Sequence, residues 1–139
     1  MRWKIFGQRH LIGYRNDDAR RILELHGRQI SKFGGTDGHR RPCVESALGA
    51  GLSASMYSEH GNDPFRLLVY VFRSLLQNHC FVDGNKRVAL ATLLDGLLAL
   101  GLTLETTPME LAEFCETAVG FDVEEMSSWF GERLVALRF

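Results

Sequence analysis

Cysteine is scarce in this chain of 139 residues: Cys43, Cys80 and Cys115 are the only three. They are odd in number and far apart, and no pair has the spacing of a metal site, so reduced thiols in a cytoplasmic protein are expected. An excess of charge of either sign is also missing. Sixteen basic residues stand against 17 acidic ones, a net charge of −1, and no overall basic field draws the chain to nucleic acid directly. Long apolar runs are absent. The longest, Val88 to Leu102, is too short to span a bilayer and contains Asp95, so no membrane partner is expected. The opening "MRWKIFGQRH" has no apolar core and no small-residue cleavage site, unlike a signal peptide. Repeats, low-complexity tracts and linkers are lacking too, so one domain is the default.

What is present is mostly helical pattern. Residues 1–16 mix charge, glycine and aromatics and are expected to form an N-terminal arm or short strand. The remainder, 17–139, reads as a single helical domain. Asp17 or Asp18 can cap a helix that runs to the Gly34–Gly35 stop. "GGTDGHRR" reads as loop, and "RPCVESALGAG" as a short helix with Pro42 in its first turn. "GLSASMYSEHGND" has little periodicity and is expected to be a surface loop or flap. Asp63-Pro64 has the composition of a helix start. The following "FRLLVYVFRSLLQNH" is apolar except for a narrow stripe of Arg66, Arg73 and Gln77, as in a central helix. "VALATLLDGLLALG" reads as a second central helix. Thr107 to Glu110 and Asp122 to Glu125 have capping-box spacing before two more helices, the last through "MSSWFGERLVAL". The expected fold is all-α: a compact bundle of about six helices.

Between the two central helices lies "HCFVDGNKR", His79 to Arg87, the densest cluster of reactive groups in the chain. Gly84, Asn85, Lys86 and Arg87 form the first turn of the second helix, where free N–H groups attract anions. Two cations there oppose the helix dipole at a cost of a few tenths to about 1 kcal/mol each. A phosphate chain between them and the N–H groups removes that conflict. Gly84 allows close approach, Asn85 can donate from its side chain, Lys86 supplies a point charge and Arg87 a bidentate grip. Asp83 suits an anion site only if it holds a divalent cation such as magnesium, which takes one or two carboxylates plus phosphate oxygens and water. His79 is suited to take a proton from a hydroxyl near neutral pH. Taken singly, each residue has a plain structural explanation: a helix-end histidine, an Asp-Gly turn, a solvated face. The set has less of one, because the flanking helices leave little solvated surface.

The stretch resembles the signature of the Fic/Doc superfamily, H-x-F-x-D/E-G-N-G-R in Fic proteins, with Lys in place of the second Gly in the Doc (death-on-curing) branch. Lys86 makes this chain similar to Doc. "LELHGRQISKFGG", "GHRRPCVESAL" and "GLLALGLTLETTPMELAEF" resemble family text as well, so the likeness covers roughly residues 20–137. It implies a Fic/Doc-type helical fold with the active-site loop between two buried central helices. It also implies a toxin of a toxin–antitoxin pair, a kinase that transfers the γ-phosphoryl group of ATP to a protein hydroxyl and so blocks translation. The implied target is elongation factor Tu or another translation protein, and the implied partner a cognate, Phd-like antitoxin. Carried over, His79 is the general base, Asp83 the Mg²⁺ ligand and a catalytic residue that helps position His79, Gly84 and Asn85 the anion hole, and Lys86 and Arg87 the nucleotide-binding cations, Arg87 also catalytic. Gly84 follows Fic, since Doc often has Ala there, and this keeps open Fic-type AMP transfer. A non-catalytic nucleotide- or partner-binding module is the other alternative. Asp95, Arg40, Glu45 and Glu132 are lesser candidates: the first three for orienting or framing the site, and Glu132 for an inhibitory helix.

Overall fold

The computed structural model describes residues 16–59 and 61–137. The arm expected over 1–16 lies outside these, except for Asn16, which begins the first helix. Six helices occur among the described residues: α1 Asn16–Phe33, α2 Arg41–Met56, α3 Pro64–Asn78, α4 Asn85–Ala99, α5 Pro108–Ala118 and α6 Val123–Gly131.

The caps follow from local chemistry. Asp63 accepts hydrogen bonds from the N–H groups of Phe65 and Arg66 and starts α3. Asp122 and Glu125 form a complete capping box at α6. Thr107 caps α5 through the Glu110 N–H, but the Glu110 carboxylate turns instead to Thr106 and to Arg133 at 2.7 Å, so that box is only half made.

The two central helices are α3 and α4. Leu68, Val69, Phe72, Leu75 and Leu76 of α3 and Val88, Ala89, Leu93 and Leu97 of α4 are buried in one core. The polar stripe of α3 runs beneath the α5–α6 corner. Arg66 pairs with Glu124 at 2.6 Å, Arg73 Nε donates to the Phe121 carbonyl at 3.0 Å, and Gln77 donates to the Val119 carbonyl. Arg73 and Gln77 thus satisfy backbone carbonyls that the corner leaves free, and Arg66 adds an ion pair to the same corner. Phe72, Phe114 and Phe130 meet edge-on or stacked, and Trp129 lies over Phe114 and under the Arg133 guanidinium.

Two segments depart from the sequence reading. The flap expected from Gly51 onward is helical as far as Met56. Ala47, Gly51 and Ser55, four apart, are all buried and form a stripe of small residues that admits α3, so weak apolar periodicity there reflects close packing rather than a loop. Only the turn after Met56 fits the expectation. At the C-terminal end, helix α6 stops at Gly131, and "LVA" becomes strand β2, Leu134–Ala136. It pairs antiparallel with β1, Leu102–Leu104, in the register Leu102↔Ala136, Thr103↔Val135 and Leu104↔Leu134. The residues after Gly101 present an unpaired backbone edge, and pairing with it wins over one more helical turn.

The cysteine expectation is corrected as well. Cys43 in the first turn of α2 and Cys80 just after α3 form a disulfide with Cα atoms 5.4 Å apart; Cys115 is free and buried. Their separation of 37 residues hid a contact that the packing of α2 on α3 creates. Among the described residues, no helix is long and apolar enough to cross a membrane.

Candidate functional site

Helix α3 ends at Asn78, and His79 takes the left-handed conformation, φ 47°, ψ 51°. Few residues other than glycine adopt it, though histidine is among those enriched there. The turn leaves the His79 side chain exposed, while Cys80 and Phe81 drop into the core. Phe81 is thus the anchor of the loop. The loop is then clamped from the other side by residues 34–40. Arg40 N–H donates to the Cys80 carbonyl at 3.1 Å, Val82 N–H donates to the Gly38 carbonyl at 3.0 Å, and His39 and Phe81 form an antiparallel bridge.

Asp83 follows. Its Oδ2 accepts from Thr36 N–H at 3.2 Å and its Oδ1 from Gly84 N–H at 2.8 Å. These two bonds, the Thr36 bond foremost, hold its carboxyl below the ordinary aspartate value; the nearby Arg87 and His26 act in the same direction, and only burial opposes. The group is therefore ionised at neutral pH. Gly84 sits at φ 79° as the residue before α4, with no side chain capping the first turn. The residues of that turn line a cavity of about 670 Å³, and their N–H groups have no partner within the helix. His79, Asp83, Gly84, Asn85, Lys86 and Arg87 all line this cavity, so the structure brings every residue of the predicted set to one place.

Their engagements differ from expectation in one respect. The Asn85 carboxamide does not reach outward: its Oδ1 accepts from Phe81 N–H at 3.1 Å and its Nδ2 donates to the Phe81 carbonyl at 2.9 Å. It locks the loop, and its contribution to an anion hole is left to its backbone N–H. Lys86 is ion-paired with Glu116 of α5, and Arg87 donates to the Gly34 carbonyl at 3.0 Å. Both Lys86 and Glu116 are substantially exposed, so the pair contributes about 0–1 kcal/mol and yields readily to a stronger anion.

The lesser candidates fall outside. Asp95 is held by Arg21 of α1 at 2.8 Å, which staples α1 to α4. Glu45 pairs with Arg41, and Arg40 serves through its backbone. Glu132 lies at the C-terminal end of α6 beside Arg133.

Sequence reasoning missed the α5 wall of the cavity, formed by Pro108, Leu111, Ala112, Cys115 and Glu116. Nothing in the sequence signals that α5 returns to the site. Burial pushes the Cys115 thiol up to about 11, so no thiolate is available there. His26 was missed also. It is buried beneath the loop and stacked on Phe81 at 4.1 Å. Its signal was available: His26 falls four residues after Ile22 and seven after Ala19, on the apolar stripe of α1.

Asp83 is the cavity carboxylate not taken up by a side-chain cation. Among the described residues, no group of three or more His, Cys, Asp or Glu side chains could enclose a metal ion. One ionised carboxylate fits a hard divalent cation that takes its remaining oxygens from phosphate and water, as magnesium does. It does not fit a closed protein cage.

Gly35 supports the site from behind. A Cβ added there would lie 2.7 Å from Asp83 Oδ2 and 3.0 Å from Arg87 Nη2, on a backbone at φ 118°. Gly34, at φ 83°, has open space around it. Gly34→Ala is expected to cost only left-handed strain, about 1–2 kcal/mol. Gly35→Ala should cost more and move the Asp83 carboxylate. Thermal unfolding of both variants checks this; equal losses would mean that the carboxylate yields without resistance.

The Fic/DOC family model matches residues 17–95, more than half of the chain. The chain is also 28% identical over 106 residues, 76% of its own length and 81% of the relative's, to "Protein kinase doc" of Escherichia phage P1. The family match spans α1 through most of α4 and includes the whole His79–Arg87 loop.

Proposed function

This chain belongs to the Fic/Doc family, and on that premise we propose that it is a Doc-type toxin: an enzyme that transfers the γ-phosphoryl group of ATP to a hydroxyl of a translation protein, elongation factor Tu foremost. The observation that carries the proposal is the single cavity shared by an exposed imidazole, an ionised carboxylate and an uncapped helix N-terminus flanked by two cations. The relative's name, a protein kinase, supports phosphoryl transfer over other group transfers.

Phosphoryl transfer asks the protein mainly for positioning and charge stabilisation. The target hydroxyl enters beside His79, which takes its proton as the new O–P bond forms. The bond from the γ-phosphorus to the ADP oxygen breaks, and the imidazolium then releases its proton to solvent. The first-turn N–H groups of Asn85 and Lys86, with the Arg87 guanidinium, hold phosphate oxygens, and Gly84 lets them approach closely. Lys86 exchanges Glu116 for phosphate. Asp83 would hold Mg²⁺, which when bound neutralises phosphate charge. A bulky cation at position 86, where Fic proteins have glycine, fills space that a phosphate would otherwise use and so reverses the seating of the nucleotide.

AMP transfer is the second reading, favoured by one observation: glycine at position 84, as in Fic proteins. As a toxin, the protein requires a cognate Phd-like antitoxin and works in the cytoplasm, where translation occurs. Induced expression of the wild type in a bacterial host is expected to stop incorporation of labelled amino acids within minutes, and His79→Ala to leave it running. Arrest by both proteins alike would contradict an enzymatic toxin.

A further inference from the structure

The Asp83 backbone carbonyl lies just outside α4, whose own ladder begins with Val88 N–H to the Gly84 carbonyl. In that place a carbonyl has no helical partner and must find one elsewhere. It finds His26: Nε2 of the imidazole is 2.7 Å from the Asp83 oxygen. A carbonyl can only accept, so Nε2 carries the proton and donates. The other ring nitrogen, Nδ1, faces the exposed Asp37 carboxylate at 3.9 Å. The ring is 1% exposed and lies nearly parallel to Phe81, with centroids 4.1 Å apart. Its position is therefore fixed on three sides, by Phe81, by Asp83 and by its own helix.

We propose that His26 is a positioning residue for the site: its Nε2–H bond to the Asp83 carbonyl sets the direction in which the Asp83 carboxylate meets the cavity. The inference rests on Asp83 as the group that engages Mg²⁺ and nucleotide phosphate. The geometry connects the two ends of the residue. The carbonyl is tied downward to α1 by His26, and the carboxylate is tied to Thr36 and Gly84 N–H groups. With the carbonyl released, the peptide between Asp83 and Gly84 can rotate. That rotation carries the Gly84 N–H, the partner of Asp83 Oδ1, out of place. The direction of the carboxylate thus depends on one buried imidazole. Loss of a group that orients a ligand typically costs 10–100-fold in affinity or activity.

Two variants separate this role from simple packing. His26→Phe keeps an aromatic ring on Phe81 and loses the donor. His26→Gln keeps a donor at the reach of Nε2 and loses the ring. Each is compared with wild type by circular dichroism melting, by calorimetric titration with ATP–Mg²⁺, and by transfer of label from ATP to protein in a bacterial lysate at a temperature where all three are folded. His26→Phe is expected to bind ATP–Mg²⁺ or turn over about tenfold or more worse, and His26→Gln to stay within about threefold of wild type while melting lower. In wild type, nitrogen-15 spectra should show the His26 proton on Nε2, protected from exchange. Equal performance of folded His26→Phe and wild type would overturn the inference and leave the reading of the site intact. So would a His26→Gln as poor as His26→Phe, since the ring and not the donor would then matter. A wild type that binds no ATP–Mg²⁺ would overturn the reading of the site, and the inference with it.

Discussion

Replacing His79 by alanine is expected to slow transfer to protein by about 10²–10⁴-fold, the range that a positioned general base contributes. The affinity for ATP–Mg²⁺ should change little, because on the proposed reading the phosphates are held by the α4 N-terminus, Lys86 and Arg87, and Mg²⁺ by Asp83, with no part for the imidazole. One confounding effect is built into the backbone. His79 ends α3 in the left-handed conformation, where alanine is strained by about 1–2 kcal/mol. His79→Asn is the better companion, since asparagine tolerates that conformation and caps the helix without serving as a base. Both variants should be inactive, with the asparagine form melting close to wild type. Active His79→Asn would assign His79 to the helix cap and take it out of the chemistry.

The second large effect concerns the Cys43–Cys80 bond. Closing a loop of 37 residues' separation is worth about 4 kcal/mol of chain entropy in the unfolded state. For a domain of this size, that corresponds to a fall in Tm on the order of 10 °C when the bond is opened. Cys80 follows His79 directly, and Cys43 sits in the first turn of α2. The bond therefore tethers the end of α3 to a neighbouring helix at the residue next to the proposed base. Thermal unfolding with and without dithiothreitol should show the drop in wild type, and Cys43→Ser should melt at the lower temperature under both conditions. Insensitivity of the wild type to reductant would contradict the bond. The cytoplasm keeps such pairs reduced, so there the protein would work at the lower stability and with the looser loop.

Much of the architecture was legible because its signals are local. Asp63 and Asp122 are strong caps beside apolar runs, and the narrow stripe of Arg66, Arg73 and Gln77 marked α3 as central before any partner was known. The residues of the site were legible for a related reason: His79 to Arg87 is contiguous, so one loop delivers them all. What stayed hidden depends on contacts between distant segments. The C-terminal residues Leu134–Ala136 are helix-compatible, and only the free edge at Leu102–Leu104 makes them a strand. The small residues Ala47, Gly51 and Ser55 look loop-like until α3 packs on them. Cys43 and Cys80, and Glu116 and Lys86, meet across 37 and 30 residues. Asn85 illustrates a subtler limit. Its residue type fits an anion donor and a loop lock equally well, and the position of the Phe81 backbone decides for the lock.

On the proposed reading, one cavity directs the terminal phosphoryl group of ATP to a protein hydroxyl through His79. The most direct measurement incubates the protein with Mg²⁺ and a bacterial lysate, once with γ-labelled and once with α-labelled ATP, with His79→Asn beside each. A protein band labelled from the γ position only, and absent with the variant, is expected. Label from the α position would contradict it and establish AMP transfer, with Lys86 failing to reverse the nucleotide.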